Sequence, residues 1–423
     1  MAVVLFHADF GFASGGFIGV SVFFTLSGFL ITSLLLAEHE QHGRISLRGF
    51  YGRRARRLLP AAYLCVALVL LAVPFWNDVQ RRRLPGDAVA ALANVANWRA
   101  ATASLSYREL FTAAPSPLAH FWSLAIEEQC YLVMPLVVAW ALRRGRGALA
   151  VAAGALTAVA IVLAWRTTDF DMAYNGTHTR VAELLVGVLL AVVLSRWRPA
   201  GWSASVAGLS GLALLTVAVV RLDLGDEWLA HGGFAVVAVA TCGVVVGSLV
   251  PGRIARSLSW RPLVAIGKVS YGVYLFHWPL FLVLDEQRTG LGRLPLLVVR
   301  SAALAVVTIA SYRLLEMPVR ERRMLATPRP AFLAVGATVA AVLVGAWALP
   351  SPPLDATQQL LEQGNGGPVT FAPPSSSGAP PTVLVVGSNG EAVDVLAEHE
   401  PNITVTDGVQ PGCPVASGVE AQL

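Results

Sequence analysis

The chain has 423 residues, of which 55% are hydrophobic and only 13% are charged, and its net charge is +5. Soluble domains carry about 25% charged residues, so this composition and a mean hydropathy of +0.63 exclude an ordinary soluble protein. The apolar residues occur in continuous runs and not with a period of two, which excludes a closed barrel and leaves a helical bundle. Three of the four cysteines fall inside these runs, so no disulfide framework is indicated.

Apolar runs close to the roughly 20 residues that cross a bilayer predict ten spans, preceded by a short stub at residues 1–9. The runs lie at 15–37, 58–76, 121–142, 148–165, 179–195, 203–220, 229–250, 266–285, 295–315 and 330–349. The predicted fold is therefore an all-α polytopic membrane protein with ten to eleven transmembrane helices. Only six residues precede His7, so we expect the first span to be incomplete and the natural start to lie upstream.

Basic residues are almost all arginine and cluster after alternate spans. The clusters lie at 44–57, 143–146, 196–198, 253–261 and 320–329, with one exception at 81–83 in a longer loop, 77–119. The positive-inside rule makes the clustered loops cytoplasmic. The tail after Leu349 contains no Lys or Arg and is predicted to lie outside the cytoplasm. We therefore expect a multi-pass cell-membrane protein whose net positive charge does not indicate nucleic-acid binding.

The composition divides the chain into four segments. Residues 1–328 are predicted to form the membrane domain, and 329–349 an additional transmembrane helix. Residues 350–381 are rich in Pro, Gly and Ser, as expected of an extended external linker. A strand-like run at 382–386 then meets a glycine turn, which is typical of the start of an α/β domain. Because few residues follow, we expect 382–423 to be a partial domain.

Four arginines precede the second complete span: Arg53, Arg54, Arg56 and Arg57. One interpretation is a topology anchor. Another is a phosphate-binding face, because the forked guanidinium group binds phosphate oxygens in pairs. Anionic lipid is a third possible partner.

Glu127 and Glu128 stand near the head of an apolar, aromatic run, and His7 stands in the N-terminal stub. Ionisable groups at membrane depth are costly and are usually functional. The glutamates are alternatively caps of the first helical turn, and only one of them is expected to face an internal cavity, because adjacent helix positions point about 100° apart. A lone histidine is more often structural, and Asp9 cannot orient it from the same helix face.

Further polar residues lie in later spans. Tyr271, Tyr274 and His277 precede Pro279, a pattern also typical of an interfacial aromatic belt. Two spacings predict ion pairs within one helix, Arg180 with Glu183 and Arg313 with Glu316. No group of histidine, cysteine and carboxylate residues has the spacing of a metal site, so we expect no metal.

These residues lie in stretches that closely resemble acyltransferase family 3, the integral-membrane acyltransferases of surface and secreted glycans. The matching stretches are Leu5-Phe-His7-Ala, Gly16 to Ile31, Arg53-Arg-Ala-Arg-Arg-Leu-Leu-Pro60, Phe121-Trp-Ser-Leu-Ala-Ile-Glu-Glu-Gln129, Ser270-Tyr-Gly-Val-Tyr-Leu-Phe-His-Trp-Pro279 and Glu316-Met-Pro318. The tail is similar to the subgroup in which an extra span and a linker carry an external SGNH-type domain.

The resemblance implies that acyl-CoA, most simply acetyl-CoA, binds from the cytoplasm and that its acyl group reaches a hydroxyl outside. It implies His7 as catalytic residue, Glu127 or Glu128 as its acidic partner, and Arg53, Arg54, Arg56 and Arg57 as the CoA-binding face. Tyr271, Tyr274 and His277 are expected to contact substrate. An imidazole can take the proton of an attacking hydroxyl or carry the acyl group itself. The expected partners are a glycan or lipid-linked sugar acceptor and membrane lipids, with no nucleic acid.

Two departures from the family pattern favour alternatives. The basic residue that the family places upstream of the histidine is absent, and the tail has Ser388 and Asn389 where an SGNH domain has Gly-Asp-Ser. An inactive membrane scaffold is therefore one alternative. A proton-coupled transporter or lipid flippase that uses the intramembrane carboxylates is another. Within the family, a small secondary metabolite such as a macrolide is an alternative acceptor.

Overall fold

The computed structural model describes residues 1–102, 115–323, 382–385 and 404–407. The chain forms two compact units, Met1–Pro352 and Pro353–Leu423. The predicted additional span at 329–349, the linker at 350–381 and the turn with Ser388 and Asn389 lie outside the described residues.

Helices make up the described part of the first unit. They are Ala2–His7 (α1), Gly19–His42 (α2), Leu47–Leu71 (α3), Asp78–Leu92 (α4), Ala96–Ala101 (α5), Phe121–Leu142 (α6), Arg146–Arg166 (α7), Phe170–Asn175 (α8), Thr177–Leu194 (α9), Gly201–Arg221 (α10), Phe234–Leu249 (α11), Arg253–Leu258 (α12), Arg261–Val283 (α13), Glu286–Thr289 (α14), Arg293–Ser311 (α15) and Met317–Arg320 (α16). Short 3₁₀ helices occupy Gly11–Ile18 and Val73–Phe75, and π-helical turns occupy Leu229–Gly233 and Tyr312–Glu316.

Seven helical stretches in the described residues are long and apolar enough to cross a membrane. They are Gly11–His42, Phe121–Leu142, Arg146–Arg166, Phe170–Leu194, Gly201–Arg221, Leu229–Leu249 and Arg293–Arg320. The predicted spans at 58–76 and 266–285 fall on α3 and α13, which are long but carry arginine, lysine or histidine side chains. The larger count of ten to eleven spans therefore stays a prediction.

The segment at 77–119, predicted as a loop, contains the helices α4 and α5. A capping box begins α4: the Asn77 side chain accepts from the Gln80 amide, and the Gln80 side chain accepts from the Asn77 amide. Hydropathy does not reveal such a helix, because its stability depends on capping and on the burial of a few residues, including Leu84 and Ala88.

Four apolar clusters form the core of the described bundle, and the two largest share helices. One of these two joins α2, α3, α6, α7, α9 and α11, and the other joins α3, α4, α6, α13 and α15. Since α3 and α6 belong to both clusters, they connect the two halves of the bundle. Polar side chains on α3, α6 and α13 can consequently meet inside it.

The short helix α1 lies against the 3₁₀ helix that follows it. A side chain at Gly16 would place its Cβ 2.4 Å from the Ala2 carbonyl oxygen, so only glycine permits this approach. Asp9 has a positive φ of 59° and reverses the chain between the two segments. This tight turn places His7, the last residue of α1, against the rest of the bundle.

Arg180 and Glu183 form the predicted ion pair, with Nε and Oε1 2.7 Å apart and both side chains 1% exposed. Arg180 also donates to Ser21 of α2, and the ring of Phe234 lies 3.7 Å from its guanidinium carbon. A buried pair of this kind is retained only where its remaining donors are satisfied. The pair therefore connects α9 to α2 and α11.

The predicted ion pair of Arg313 and Glu316 is wrong for the part of the chain that the structure describes. Glu316 instead accepts a hydrogen bond from the Ser311 hydroxyl at 3.1 Å. Both residues of the expected pair lie in the π-helical turn. A π-helix closes at i+5, so residues three apart no longer lie one above the other.

Two strands are described in the second unit, Thr382–Val385 (β1) and Thr404–Asp407 (β2). They pair in parallel, with Thr382 opposite Thr404 and Val385 opposite Asp407. The first of them lies where the strand-like run is predicted. The residues between the two strands, 386–403, lie outside the described residues.

The close crossing of α2 and α9 gives a test of this packing. A Cβ at Gly28 of α2 would lie 2.0 Å from the Leu184 carbonyl oxygen of α9, whereas a Cβ at Gly154 of α7 would meet no atom within 4 Å. We expect Gly28→Val to lower the free energy of unfolding by at least the roughly 1–3 kcal/mol typical of overpacking. Thermal unfolding of the detergent-solubilised protein measures this loss, and Gly154→Val is the control. Equal melting temperatures for the two variants would contradict the crossing.

Candidate active site

His7 lies beside a second histidine that is distant in sequence. Its Nδ1 is 2.9 Å from Nε2 of His277 on α13, and the two rings stack with centroids 5.1 Å apart. The Trp278 ring lies 4.6 Å from the His7 ring. The structure therefore brings together His7, predicted to be catalytic, and His277, predicted to contact substrate.

His277 is completely buried and has a second partner on its own helix. Its Nδ1 is 2.6 Å from the carbonyl oxygen of Tyr274, one turn earlier. A carbonyl oxygen can only accept, so His277 donates this hydrogen bond. The ring is consequently held at both nitrogens.

His120 is a third histidine at this site and is not among the site residues predicted from the sequence. Its ring lies 5.8 Å from the His277 ring and 5.8 Å from the Tyr274 ring, and the side chain is 2% exposed. The sequence signal that could have identified His120 as a site residue is its position directly before Phe121, at the head of a stretch that carries two glutamates. His7, His120 and His277 are called the histidine cluster below.

Tyr274 ties the histidine cluster to α6. Its hydroxyl lies 2.5 Å from Oγ of Ser123 and donates to the His120 carbonyl at 3.1 Å. One turn earlier on α13, the hydroxyl of Tyr271 donates to the Leu58 carbonyl of α3 at 3.0 Å. Tyr271, Tyr274 and His277 therefore follow one face of α13. At a rise of 1.5 Å per residue they cover about 9 Å along its axis.

Glu127 belongs to a separate buried network. Ser27 Oγ donates to Glu127 Oε1 at 2.5 Å, and Tyr131 donates to Ser27 at 2.8 Å. Arg54 pairs with the same carboxylate at 3.8 Å, and its guanidinium carbon lies 3.6 Å from the centre of the Tyr131 ring. These partners come from α2, α3 and α6.

Glu127 lies seven residues after His120 on α6, or about 10 Å along the helix axis. Its hydrogen bond and ion pair are with Ser27 and Arg54, and not with the histidine that it was expected to orient. Both glutamates lie in the second turn of α6, beyond the first turn that a capping role requires. Glu128 is half-buried and, with Tyr271, lines a small cavity of about 30 Å³.

The four clustered arginines point in different directions. Arg53 forms an ion pair with Glu38 at 3.0 Å, and Arg54 points inward to Glu127. Arg56 is half-buried. Arg57 lines a cavity of about 220 Å³. Adjacent positions on a helix point about 100° apart, so the run cannot present one common face.

The larger cavity, called the basic cavity below, is lined by charged side chains from three helical segments. Arg57 of α3, Lys268 of α13 and Arg320 of α16 line it, together with the carboxylate of Glu316. Lys268 and Arg320 were not predicted as site residues, although both occur near arginine clusters assigned to the same side of the membrane. Tyr271 lines both this cavity and the small cavity beside Glu128. It therefore lies between them.

Comparison with known proteins places the chain in a family. The profile of the acyltransferase-3 family, described as an acyltransferase domain, matches residues 1–317. O-acetyltransferase OatA of Staphylococcus aureus (strain NCTC 8325 / PS 47) is 33% identical over 340 residues, which cover 76% of this chain and 55% of that protein. Peptidoglycan O-acetyltransferase OatA of Listeria monocytogenes is 34% identical over 341 residues, covering 76% and 54% respectively.

The chain thus spans about half the length of these relatives. No solved structure matches it. The profile covers the helical unit from α1 to the start of α16 and includes the histidine cluster, the Glu127 network and most of the basic cavity. The chain is a membrane protein that belongs to the acyltransferase-3 family.

Proposed function

We propose that this protein transfers an acetyl group from acetyl-CoA to a hydroxyl of an exported or cell-wall glycan such as peptidoglycan. Family membership supports the transfer chemistry, and the names of the relatives support the acetyl group and the acceptor. The observation that carries the proposal is the pair of His7 and His277, connected along one face of α13 to the basic cavity.

The basic cavity is the proposed site for the phosphate groups of the donor. Arg57, Lys268 and Arg320 carry three positive charges at its wall, opposed by the single carboxylate of Glu316. Guanidinium and ammonium groups bind phosphate through charge-assisted hydrogen bonds. In this proposal Arg57 is the member of the arginine run that contacts the donor, while Arg54 serves as the counter-ion of Glu127.

The proposed path of the thioester follows α13. Tyr271 lies between the basic cavity and the small cavity lined by Glu128, and Tyr274 lies one turn further towards His277. The distance along the helix from Tyr271 to His277 is about 9 Å, which an extended pantetheine arm can cover. The phosphates then stay in the basic cavity while the acetyl group reaches the histidine cluster.

At the histidine cluster, His7 acts as the general base. It takes the proton of the acceptor hydroxyl while the oxygen bonds to the thioester carbonyl carbon. The carbon–sulfur bond then breaks, and the thiolate takes the proton from the imidazolium, which yields the acetyl ester and CoA. Transient acetylation of His7 is the alternative route, in which the same nitrogen first attacks the thioester.

The positive-inside rule predicts which side of the membrane each of the two proposed sites faces. It places the arginine-rich end, and with it the basic cavity, at the cytoplasm. The histidine cluster, with His277 towards the C-terminal end of α13, then faces the outer half of the membrane, where a glycan acceptor is found. Donor and acceptor therefore approach from opposite sides.

The role of His7 is tested by transfer of label from radiolabelled acetyl-CoA to a membrane glycan fraction. Removal of a general base typically costs about 10²-fold to 10⁴-fold in rate, so His7→Gln should lose at least about 10²-fold. The control is His42→Gln, which changes an exposed histidine at the far end of α2. Undiminished transfer by the His7 variant would contradict the proposal, as would equal losses in both variants.

The donor site is tested by the KM for acetyl-CoA. Arg57→Gln or Lys268→Gln removes one charge-assisted contact worth about 1–2 kcal/mol, so we expect KM to rise roughly 5-fold to 30-fold with little change in kcat. Arg44→Gln is the control, because Arg44 is exposed between α2 and α3 and does not line the basic cavity. An unchanged KM for acetyl-CoA in both cavity variants would contradict the proposal that the basic cavity binds the donor.

A further inference from the structure

We infer that His277 is a positioning residue that selects the tautomer of His7 and so places the lone pair of the His7 ring on Nε2. This inference rests on the proposed role of His7 as the base. It gives His277 a role different from the substrate contact expected from the sequence. Two hydrogen bonds determine the result, one at each nitrogen of His277.

The first step concerns His277 itself. Its Nδ1 faces the Tyr274 carbonyl oxygen at 2.6 Å, and this nitrogen must carry a proton because a carbonyl oxygen has none to donate. A neutral imidazole has only one N–H. The Nε2 of neutral His277 is therefore an acceptor.

The second step concerns His7. Its Nδ1 lies 2.9 Å from that acceptor nitrogen, so in the uncharged pair the His7 Nδ1 carries the proton and donates it. The remaining ring nitrogen, Nε2, then holds the lone pair. Free histidine favours the opposite tautomer, with the proton on Nε2, and the contact with His277 reverses this preference.

The surroundings of His277 explain why it can impose one tautomer. The ring is 0% exposed, and the Phe281 ring lies 6.0 Å from it across the next turn of α13. The carbonyl oxygen of Tyr274 accepts the hydrogen bond from His277. The hydroxyl of the same tyrosine is hydrogen-bonded to Ser123 and to the His120 carbonyl. With the carbonyl and the ring both held, His277 cannot turn Nε2 away from His7.

A base with the wrong tautomer presents an N–H where the reaction needs a lone pair. In hydrolases whose catalytic histidine is oriented by a second residue, the wrong tautomer lowers the reaction rate by several powers of ten. Without the His277 acceptor, the His7 lone pair would return to Nδ1, which faces α13. His277 therefore affects the rate through His7 and does not itself touch the reacting atoms.

Nitrogen-15 NMR of the full chain with labelled histidine tests the inference, because protonated and unprotonated ring nitrogens have well-separated shifts. His7 is assigned from the signal that His7→Gln removes. We expect His7 to be protonated at Nδ1 in the unsubstituted protein and in His277→Gln, whose amide oxygen can accept in place of Nε2. In His277→Leu the proton should move to Nε2.

Acetyl transfer provides the second measurement. We expect His277→Leu to lose about 10²-fold to 10⁴-fold and His277→Gln to stay within about tenfold of the unsubstituted protein. His42→Gln is the matched control, since His42 also bonds a carbonyl one turn earlier, that of Glu38, but is exposed and distant from the cluster. It should change neither the His7 tautomer nor the rate.

The two measurements separate two failures. A His7 proton on Nε2 in the unsubstituted protein overturns the inference whatever the transfer rates are. Equal losses in the Leu and Gln variants, with the tautomer unchanged in both, also overturn it and leave His277 a packing residue. The expected tautomer without any His7-dependent transfer would instead overturn the proposed function.

Discussion

The hydrogen bond between His7 and His277 depends on a general constraint of membrane helices. A polar side chain inside an apolar bundle must find its partner there, since lipid offers none and an unsatisfied group costs several kcal/mol. His7 ends a helix of only six residues, which is held by its close approach to Gly16 and by this contact with α13. The contact thus stabilises α1 and orients its terminal imidazole.

The same constraint produces a second buried network on the other side of Tyr274. Glu127 is satisfied by Ser27 and Arg54, and Arg54 in turn stacks on Tyr131. The two networks lie about 10 Å apart along α6 and are not alternatives for one role. In the proposed mechanism the histidine cluster supplies the reacting nitrogen, and the Glu127 network fixes α2 and α3 beside the path of the donor. This division explains why Arg54 points inward to Glu127 while Arg57 remains at the wall of the basic cavity.

Part of this architecture could be predicted from the sequence. The apolar run at 121–142 coincides with α6, because continuous hydrophobicity within a helix is a local signal. The ion pair of Arg180 and Glu183 could be predicted because its two members share one helix. The helices α4 and α5 were missed, since a polar helix stabilised by capping has no hydropathy signal.

The pairing within the site could not be predicted. His7 and His277 are separated by 270 positions, and no local pattern specifies which of several spans contacts α1. The basic cavity likewise combines Arg57, Lys268 and Arg320 from separate segments. Helical geometry could have shown that adjacent arginines diverge, but not that Arg54 meets Glu127. Long-range packing decides these contacts, and one sequence without relatives contains no record of it.

In the proposed mechanism, donor and acceptor reach one buried site from opposite ends of the bundle. We would test this by sided transfer in proteoliposomes of one protein orientation, with radiolabelled acetyl-CoA on one side of the membrane and soluble peptidoglycan fragments on the other. We expect labelled glycan only when acetyl-CoA is supplied at the end that carries Arg57 and the acceptor at the end that carries His7. Transfer that requires both substrates on the same side would contradict it.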